Sequence, residues 1–354
     1  MRQTPLYDEH VSLGGKVVDF HGWALPVQFS GIVQEHLHTR TKAALFDCSH
    51  MGEFRIHGKD AVRAYARLVC SDPEGLPLGR GRYGAVLNEN GGIIDDIITI
   101  RLAEDEWFVV TNAGPLEKVS QMFCGAHTGI EDVSDATAKI DIQGPSARDV
   151  LVREIPEAAG LKYFNARPAR WKNVDLVLSR TGYTGELGFE LFVPEAAAVD
   201  LWRALLSHDG VIPAGLGARD TLRTELGYLL SGQDFDESRT PLEAKMDSFI
   251  AWDTEFTGKE ALLEQRSQGG YAVIAAIKTG DRRAPRHEFD VKQESAVVGR
   301  VTSGTFGPSV GHGVGLAYVT QELATPGRAL TAGPKDLPIV TTSLPFYTAG
   351  TCRK

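Results

Sequence analysis

Between Leu87 and Ile98 the chain reads Leu-Asn-Glu-Asn-Gly-Gly-Ile-Ile-Asp-Asp-Ile-Ile, and this stretch constrains the fold more than any other. Asn90-Gly91-Gly92 supplies the φ > 0 positions that a hairpin turn needs, so a strand, a tight turn and a second strand are expected. The second strand carries two carboxylates inside an otherwise aliphatic run. Strand residues alternate between faces, so Asp95 and Asp96 are expected on opposite sides. A carboxylate in an apolar strand is costly unless something pairs with it. Read alone, the pair is structural: one carboxylate toward solvent, the other capping a neighbouring turn.

The surroundings extend this hairpin. Strands expected at 83–87, 93–101 and 107–110 form an antiparallel meander. Helical spacing is expected from Gly31 to Thr41, Ala61 to Val69, Leu116 to Phe123, Ala196 to Ser207 and Arg219 to Leu230. Further strands are expected at 16–23, 53–57, 137–143, 174–179 and 188–193. Beyond Tyr271 short strands and Gly- and Pro-containing turns predominate, which predicts a small all-β barrel or sandwich. A polar helix, Lys259 to Gln268, followed by Gly269-Gly270, marks the boundary. The 354 residues leave room for two or three domains.

Several function classes are disfavoured. The formal net charge of −9 argues against a nucleic-acid partner. No apolar run is long enough to span a bilayer, and the N-terminus lacks the apolar core of a signal peptide, so a cytoplasmic protein without a membrane role is expected. Cys48, Cys70, Cys124 and Cys352 show no C-x-x-C spacing and read as reduced thiols. With H-E-x-x-H also absent, no metal site is expected.

Three other stretches carry chemistry. In Thr181-Gly182-Tyr183-Thr184-Gly185-Glu186-Leu187-Gly188-Phe189-Glu190, three glycines allow close approach of a flat ligand. Glu190 there has the geometry to accept paired hydrogen bonds from the N–H edge of a heterocycle. An ordinary Gly-rich hairpin with a solvated Glu explains it equally well. Ala214-Gly215-Leu216-Gly217-Ala218-Arg219-Asp220 places Arg219 at a helix start with Asp220 in the first turn. Arg282, Arg283 and Arg286 make a basic corner ahead of Val301-Thr302-Ser303-Gly304.

Taken in order, Asp19-Phe20-His21-Gly22-Trp23, Phe46-Asp47-Cys48-Ser49-His50-Met51, Asn90 to Asp96, Gly182 to Glu186, Gly215 to Asp220 and Val301 to Gly304 resemble the T-protein, or aminomethyltransferase, family of the glycine cleavage system. The resemblance spans nearly the whole chain. It implies an α+β fold: a three-domain cloverleaf around a central hole that holds tetrahydrofolate, with two antiparallel-sheet folate-binding domains and a C-terminal β-barrel or jelly roll. The implied boundaries are 1–50 with 139–247, 51–138, a connecting helix in 248–270, and 271–354. The implied reaction moves the one-carbon unit of an aminomethyl-dihydrolipoyl H-protein to tetrahydrofolate. It releases ammonia and 5,10-methylenetetrahydrofolate and uses no metal, flavin or nicotinamide.

The resemblance also implies roles. Asp95 matches the catalytic carboxylate, Glu190 the acid that reads the pterin edge, and Arg219 the pterin-site arginine. Tyr83, Phe164, Tyr183 and Tyr228 match wall positions, Asn112 a polar wall position, and Arg353 a basic residue near the folate tail. The chain departs from the pattern at Ser231, where Tyr is usual, and at Cys48, read as buried and inert. The rivals are another tetrahydrofolate-dependent demethylase or one-carbon transferase of the same fold, and a non-enzymatic folate-binding relative.

Overall fold

The computed structural model describes residues 1–354. The chain alternates between two sheets before it closes a barrel. One sheet has six strands, in the order Ala166–Trp171, Val174–Ser179, Gly188–Pro194, Thr137–Gln143, Ala43–Asp47, Val211–Pro213. All its pairings are antiparallel except the last. After Asp47 the chain leaves this sheet and builds a five-stranded one: Gly81–Leu87, Ile93–Ala103, Glu106–Thr111, Gly52–His57 and Ile130–Asp132. It returns at Thr137. A small sheet of Arg2–Gln3, Trp23–Gln28 and Lys16–Phe20 precedes both. Six strands between Ala272 and Thr342 close the C-terminal barrel. The architecture is α+β, as the resemblance implies.

Alternation sets what each sheet face does. In Thr137–Gln143, Ala138, Ile140 and Ile142 join the largest apolar core, with Phe189, Leu191 and Trp202. The intervening Lys139, Asp141 and Gln143 are equally inaccessible. They occupy the opposite face, and that face looks into the centre of the molecule.

The Leu87–Ile98 hairpin forms, with Gly91 at φ 79°. Asn88 holds the turn: its Oδ1 accepts from Asn90 N at 3.0 Å and Gly92 N at 2.9 Å. A register shift between Val86 and Leu87 makes Val86 face Asp95 and Leu87 face Ile93. Such a bulge bends and twists the strand where the carboxylates lie.

Strands at Ala43–Asp47, Ile130–Asp132 and Val211–Pro213 lie outside the expected set, and two further differences bear on the site. The helix expected from Arg219 to Leu230 runs from Leu216 to Leu226, because Gly227 takes a left-handed C-cap at φ 75°. Asp220 therefore lies just past the first turn, and residues 227–235 form a loop closed by a Ser231–Phe235 bridge. The strand Ala166–Trp171 is absent from the sequence reading because Pro168 argues against a strand; it is tolerated at the sheet edge. After the barrel, the chain returns to the six-stranded sheet. There Thr351 N donates to Glu186 Oε2 at 3.1 Å and Cys352 N to Gly185 O at 3.2 Å.

Candidate functional site

A cavity of about 980 Å³ lies where the two sheets, the barrel and the C-terminal tail meet. Glu190 and Arg219 are on its wall, as are Tyr83 and Asn112 from the five-stranded sheet. Phe164, Tyr183, Tyr228 and Arg353 complete the residues that the sequence placed there and the structure brings together. Asp95 is the exception: it is fully buried and lies behind the wall, which Asp96 forms instead.

The two aspartates split as alternation requires, with Asp96 on the cavity and Asp95 behind it, yet one side chain reaches both. Asn112 Nδ2 donates to Asp95 Oδ1 at 2.7 Å and to Asp96 Oδ1 at 2.6 Å. Its backbone N–H donates to Asp95 Oδ2 at 2.8 Å. The ladder between these strands ends at Ile98–Val110, so Asn112 lies beyond it and its amide is free to reach both carboxylates. Ser231 Oγ donates to Asp95 Oδ1 at 3.1 Å. Burial, helped by the nearby Asp96 charge, raises Asp95 well above the usual carboxylate range. Burial raises Asp96 as well, against hydrogen bonds from Tyr83 and Asn112.

Elsewhere Glu190 and Arg219 line the wall, and Lys139 and Asp141, buried behind them, link the four charges. Lys139 Nζ stands 2.8 Å from Asp141 Oδ1 and 2.7 Å from Glu190 Oε1. Arg219 donates to Asp141 Oδ2 at 2.9 Å. Burial opposes the charge on Lys139, but Asp141 and Glu190 hold it protonated; burial likewise opposes ionised Asp141, which Lys139 and Arg219 keep below the usual range. Glu190 also accepts from Thr181 Oγ1. Each of its oxygens therefore has one protein partner and one lone pair left for a ligand. The Arg219 guanidinium lies 5.0 Å from the Tyr183 ring centroid, and Tyr183 stacks on Tyr228 with centroids 5.8 Å apart. Arg219 is thereby oriented by Asp141 and Tyr183 together.

The glycines of the Gly-rich loop make room for a protein side chain. A Cβ at Gly182 or Gly188 would collide with the Gln143 side chain, at 2.2 and 2.0 Å. These glycines admit Gln143, which in turn accepts from Thr184 at 2.9 Å. The hydroxyl of Tyr183 donates to Leu229 O and so ties this loop to the one that carries Ser231.

Sequence reasoning missed Lys139, Asp141, Thr181 and His50. The signal for the first two was present: Lys-x-Asp-x-Gln at strand spacing, beside an apolar Ala-x-Ile-x-Ile face. His50 is buried on the wall, its Nδ1 has no partner, and burial pushes its pKa down to about 3. Cys48 is buried and its thiol is pushed up to about 12 by burial, in keeping with an inert residue. In the basic corner, Arg283 is paired with Asp281 at 2.7 Å and Arg282 lies over Phe306. Arg286 is exposed.

This wall suits one kind of guest. Stacked phenols and Phe164 accept a flat ring, Glu190 and Arg219 present an acceptor and a donor to its edge, and Arg353 offers a cation to an anionic tail. The volume falls within the range of sites that engulf a cofactor-sized molecule.

Residues 6–254 match the family model described as the GCVT N-terminal domain, and residues 273–348 match the glycine cleavage T-protein C-terminal barrel domain. An aminomethyltransferase of Halothermothrix orenii is 38% identical over 94% of this chain and 95% of its own. One from Halalkalibacterium halodurans is 39% identical over 99% of each. The crystal structure of glycine cleavage system aminomethyltransferase T from Bartonella henselae superposes with a TM-score of 0.93 at 31% identity, covering 99% of both chains.

Proposed function

The chain belongs to the glycine cleavage T-protein family, and on that premise we propose that it is the aminomethyltransferase of that system. It transfers the one-carbon unit of an aminomethyl-dihydrolipoyl H-protein to tetrahydrofolate. The products are 5,10-methylenetetrahydrofolate, ammonia and the dihydrolipoyl carrier. The observation that carries this reading is the convergence of Glu190, Arg219, stacked Tyr183 and Tyr228, and Asp96 on one cavity, with Asp95 joined to Asp96 from behind through Asn112.

Tetrahydrofolate supplies the nitrogen nucleophile that takes up the carbon. In our reading Glu190 and Arg219 hold the pterin edge; Tyr83, Phe164, Tyr183 and Tyr228 pack its faces; Arg353 meets the glutamate tail. Asp96 is the carboxylate that faces the reacting centre, with Asp95 behind it. An ionised Asp96 in a water-poor wall stabilises cationic character on the carbon as ammonia departs, and takes up the proton of the attacking nitrogen. The enclosing walls keep water from the reactive carbon. We further assign residues 1–50 with 139–247 and 51–138 to the two folate-binding units, and place the protein in the cytoplasm. We propose that the H-protein carrier is acidic and docks on the face that Arg286 marks.

The assay is ammonia and methylenetetrahydrofolate formation from aminomethylated H-protein and tetrahydrofolate. Folate binding without either product would make this a binding relative. Product formation from a small methylamine in place of the carrier would make it a demethylase.

A further inference from the structure

We infer that Ser231 is a positioning residue for the carboxylate pair, its hydroxyl being the group through which Asp95 exchanges a proton with the cavity. The inference rests on the one-carbon-transfer reading above and deepens it. Asp95 is fully buried and off the cavity wall. Three donors meet its oxygens: the Asn112 backbone N–H, the Asn112 side-chain amide, and Ser231 Oγ. The two amide nitrogens donate and accept nothing, whereas a protonated Asp95 needs an acceptor for its own O–H. The Ser231 hydroxyl can turn from donor to acceptor, and Ser231 itself is half-buried on the cavity wall. In the exchange, Ser231 Oγ accepts a proton from a hydronium ion in the cavity, which reverts to water, and passes its own hydrogen to Asp95 Oδ1. The hydroxyl is regenerated and the carboxylate neutralised.

The arrangement needs such a route. Asn112 ties one oxygen of Asp95 and one of Asp96 to a single nitrogen, and two carboxylates so placed do not both stay ionised away from water. The proton belongs on the inner partner, which leaves Asp96 ionised toward the cavity. The ionisable groups facing the pair are Tyr83 on the adjacent strand, and Tyr183, which faces Asp96 from the loop of the other sheet. Ser231 can bond either form of Asp95, but its bond to the charged carboxylate is the stronger, so on balance it favours ionised Asp95 and sets the upper pH limit of the singly protonated pair.

The test is a ¹³C-carboxyl NMR titration of the aspartates in the full-length protein and its Ser231→Ala and Ser231→Thr variants. It is run alongside the pH profile of kcat. Ser231→Ala is expected to raise the upper apparent pKa of the pair by about one to two pH units and to move the alkaline limb of kcat with it. Ser231→Thr, which keeps the hydroxyl, restores both. Folate affinity by calorimetry changes by less than about threefold in either variant, since the missing contact is to Asp95 and not to the ligand. In an Asp95→Asn background, Ser231→Ala has no further effect on the profile. An upper pKa that stays in place in Ser231→Ala overturns the inference. If that variant does not fold, Ser231→Cys carries the same test, because a thiol is a far weaker donor. The titration is read without turnover, so a wild-type protein inactive in the transfer assay counts against the reaction alone.

Discussion

Lys139 Nζ stands 2.7 Å from Glu190 Oε1, and neither side chain has more than marginal contact with solvent. The pair binds the Glu190 carboxylate to the sheet floor through a charge that also holds Asp141. Removing one member of such a set leaves the others buried and uncompensated. Lys139→Met is therefore expected to destabilise the fold by about 3–5 kcal/mol in urea unfolding. A loss below about 1 kcal/mol would mean that water reaches Glu190 and Asp141.

Glu190→Gln tests the same carboxylate from the ligand side. The substitution replaces one acceptor with a donor and removes the charge that faces Lys139. Folate binding is expected to weaken by about 10- to 100-fold, equivalent to roughly 1–3 kcal/mol. Calorimetry on protein shown by thermal melt to be folded checks this, and unchanged affinity would place the heterocycle elsewhere.

Asp96→Asn and Asp95→Asn separate the two carboxylates. Asp96 faces the cavity, so its neutral isostere is expected to lower kcat by about 10²–10⁴-fold with little change in folate affinity. Asp95→Asn keeps a neutral group behind the wall and should have the smaller effect. Steady-state kinetics on both variants decides; the reverse ranking would make Asp95 the reacting group despite its burial.

Glu225 joins two helices, a barrel loop and the tail. Arg40 Nη2 lies 2.9 Å from its Oε2 and Ser309 N donates to its Oε1 at 2.7 Å. Burial works to raise its pKa, but bonds from His36, Ser309 and Arg40 outweigh that and hold it at about 2, against an ordinary 4.5. A depressed carboxylate stabilises the fold above its unfolded pKa, and that stability is lost as pH falls through its folded pKa. The contribution, on the order of 3 kcal/mol, should fade between about pH 4.5 and pH 2. Urea titrations across that window should show a shallower pH slope in Glu225→Gln than in the wild type.

Charge reversal in the barrel distinguishes paired from bare arginines. Arg283 already has Asp281 as a partner, whereas Arg286 is exposed. Arg286→Glu is expected to slow association with the acidic carrier several-fold at low salt and to flatten the salt dependence, with Arg283→Glu the weaker of the two. Stopped-flow association rates that do not change in Arg286→Glu would move the docking face elsewhere.

Features that depend on short-range chemistry are legible along the chain. The Asn-Gly-Gly turn and the aliphatic runs beside it are enough to make the Leu87–Ile98 hairpin, and the strand-and-turn texture after Tyr271 is enough to announce a small all-β barrel or sandwich, which the structure closes as a barrel. The order of short motifs pointed to the wall residues Glu190, Arg219, Tyr183 and Tyr228. Which carboxylate faces the cavity is a matter of packing: alternation separates Asp95 from Asp96 but does not say which side meets the cavity, and the ladder around them is bulged at Val86–Leu87 and ends at Ile98–Val110. Asn112, sixteen residues beyond Asp96, then bonds both aspartates. The tertiary fold likewise decided the value of Lys139. On its own strand a lysine reads as solvated; it becomes a buried counter-ion because Glu190 and Arg219 arrive from a neighbouring strand and a distant helix. Polar groups are placed by partners far along the chain, and local pattern does not encode those partners.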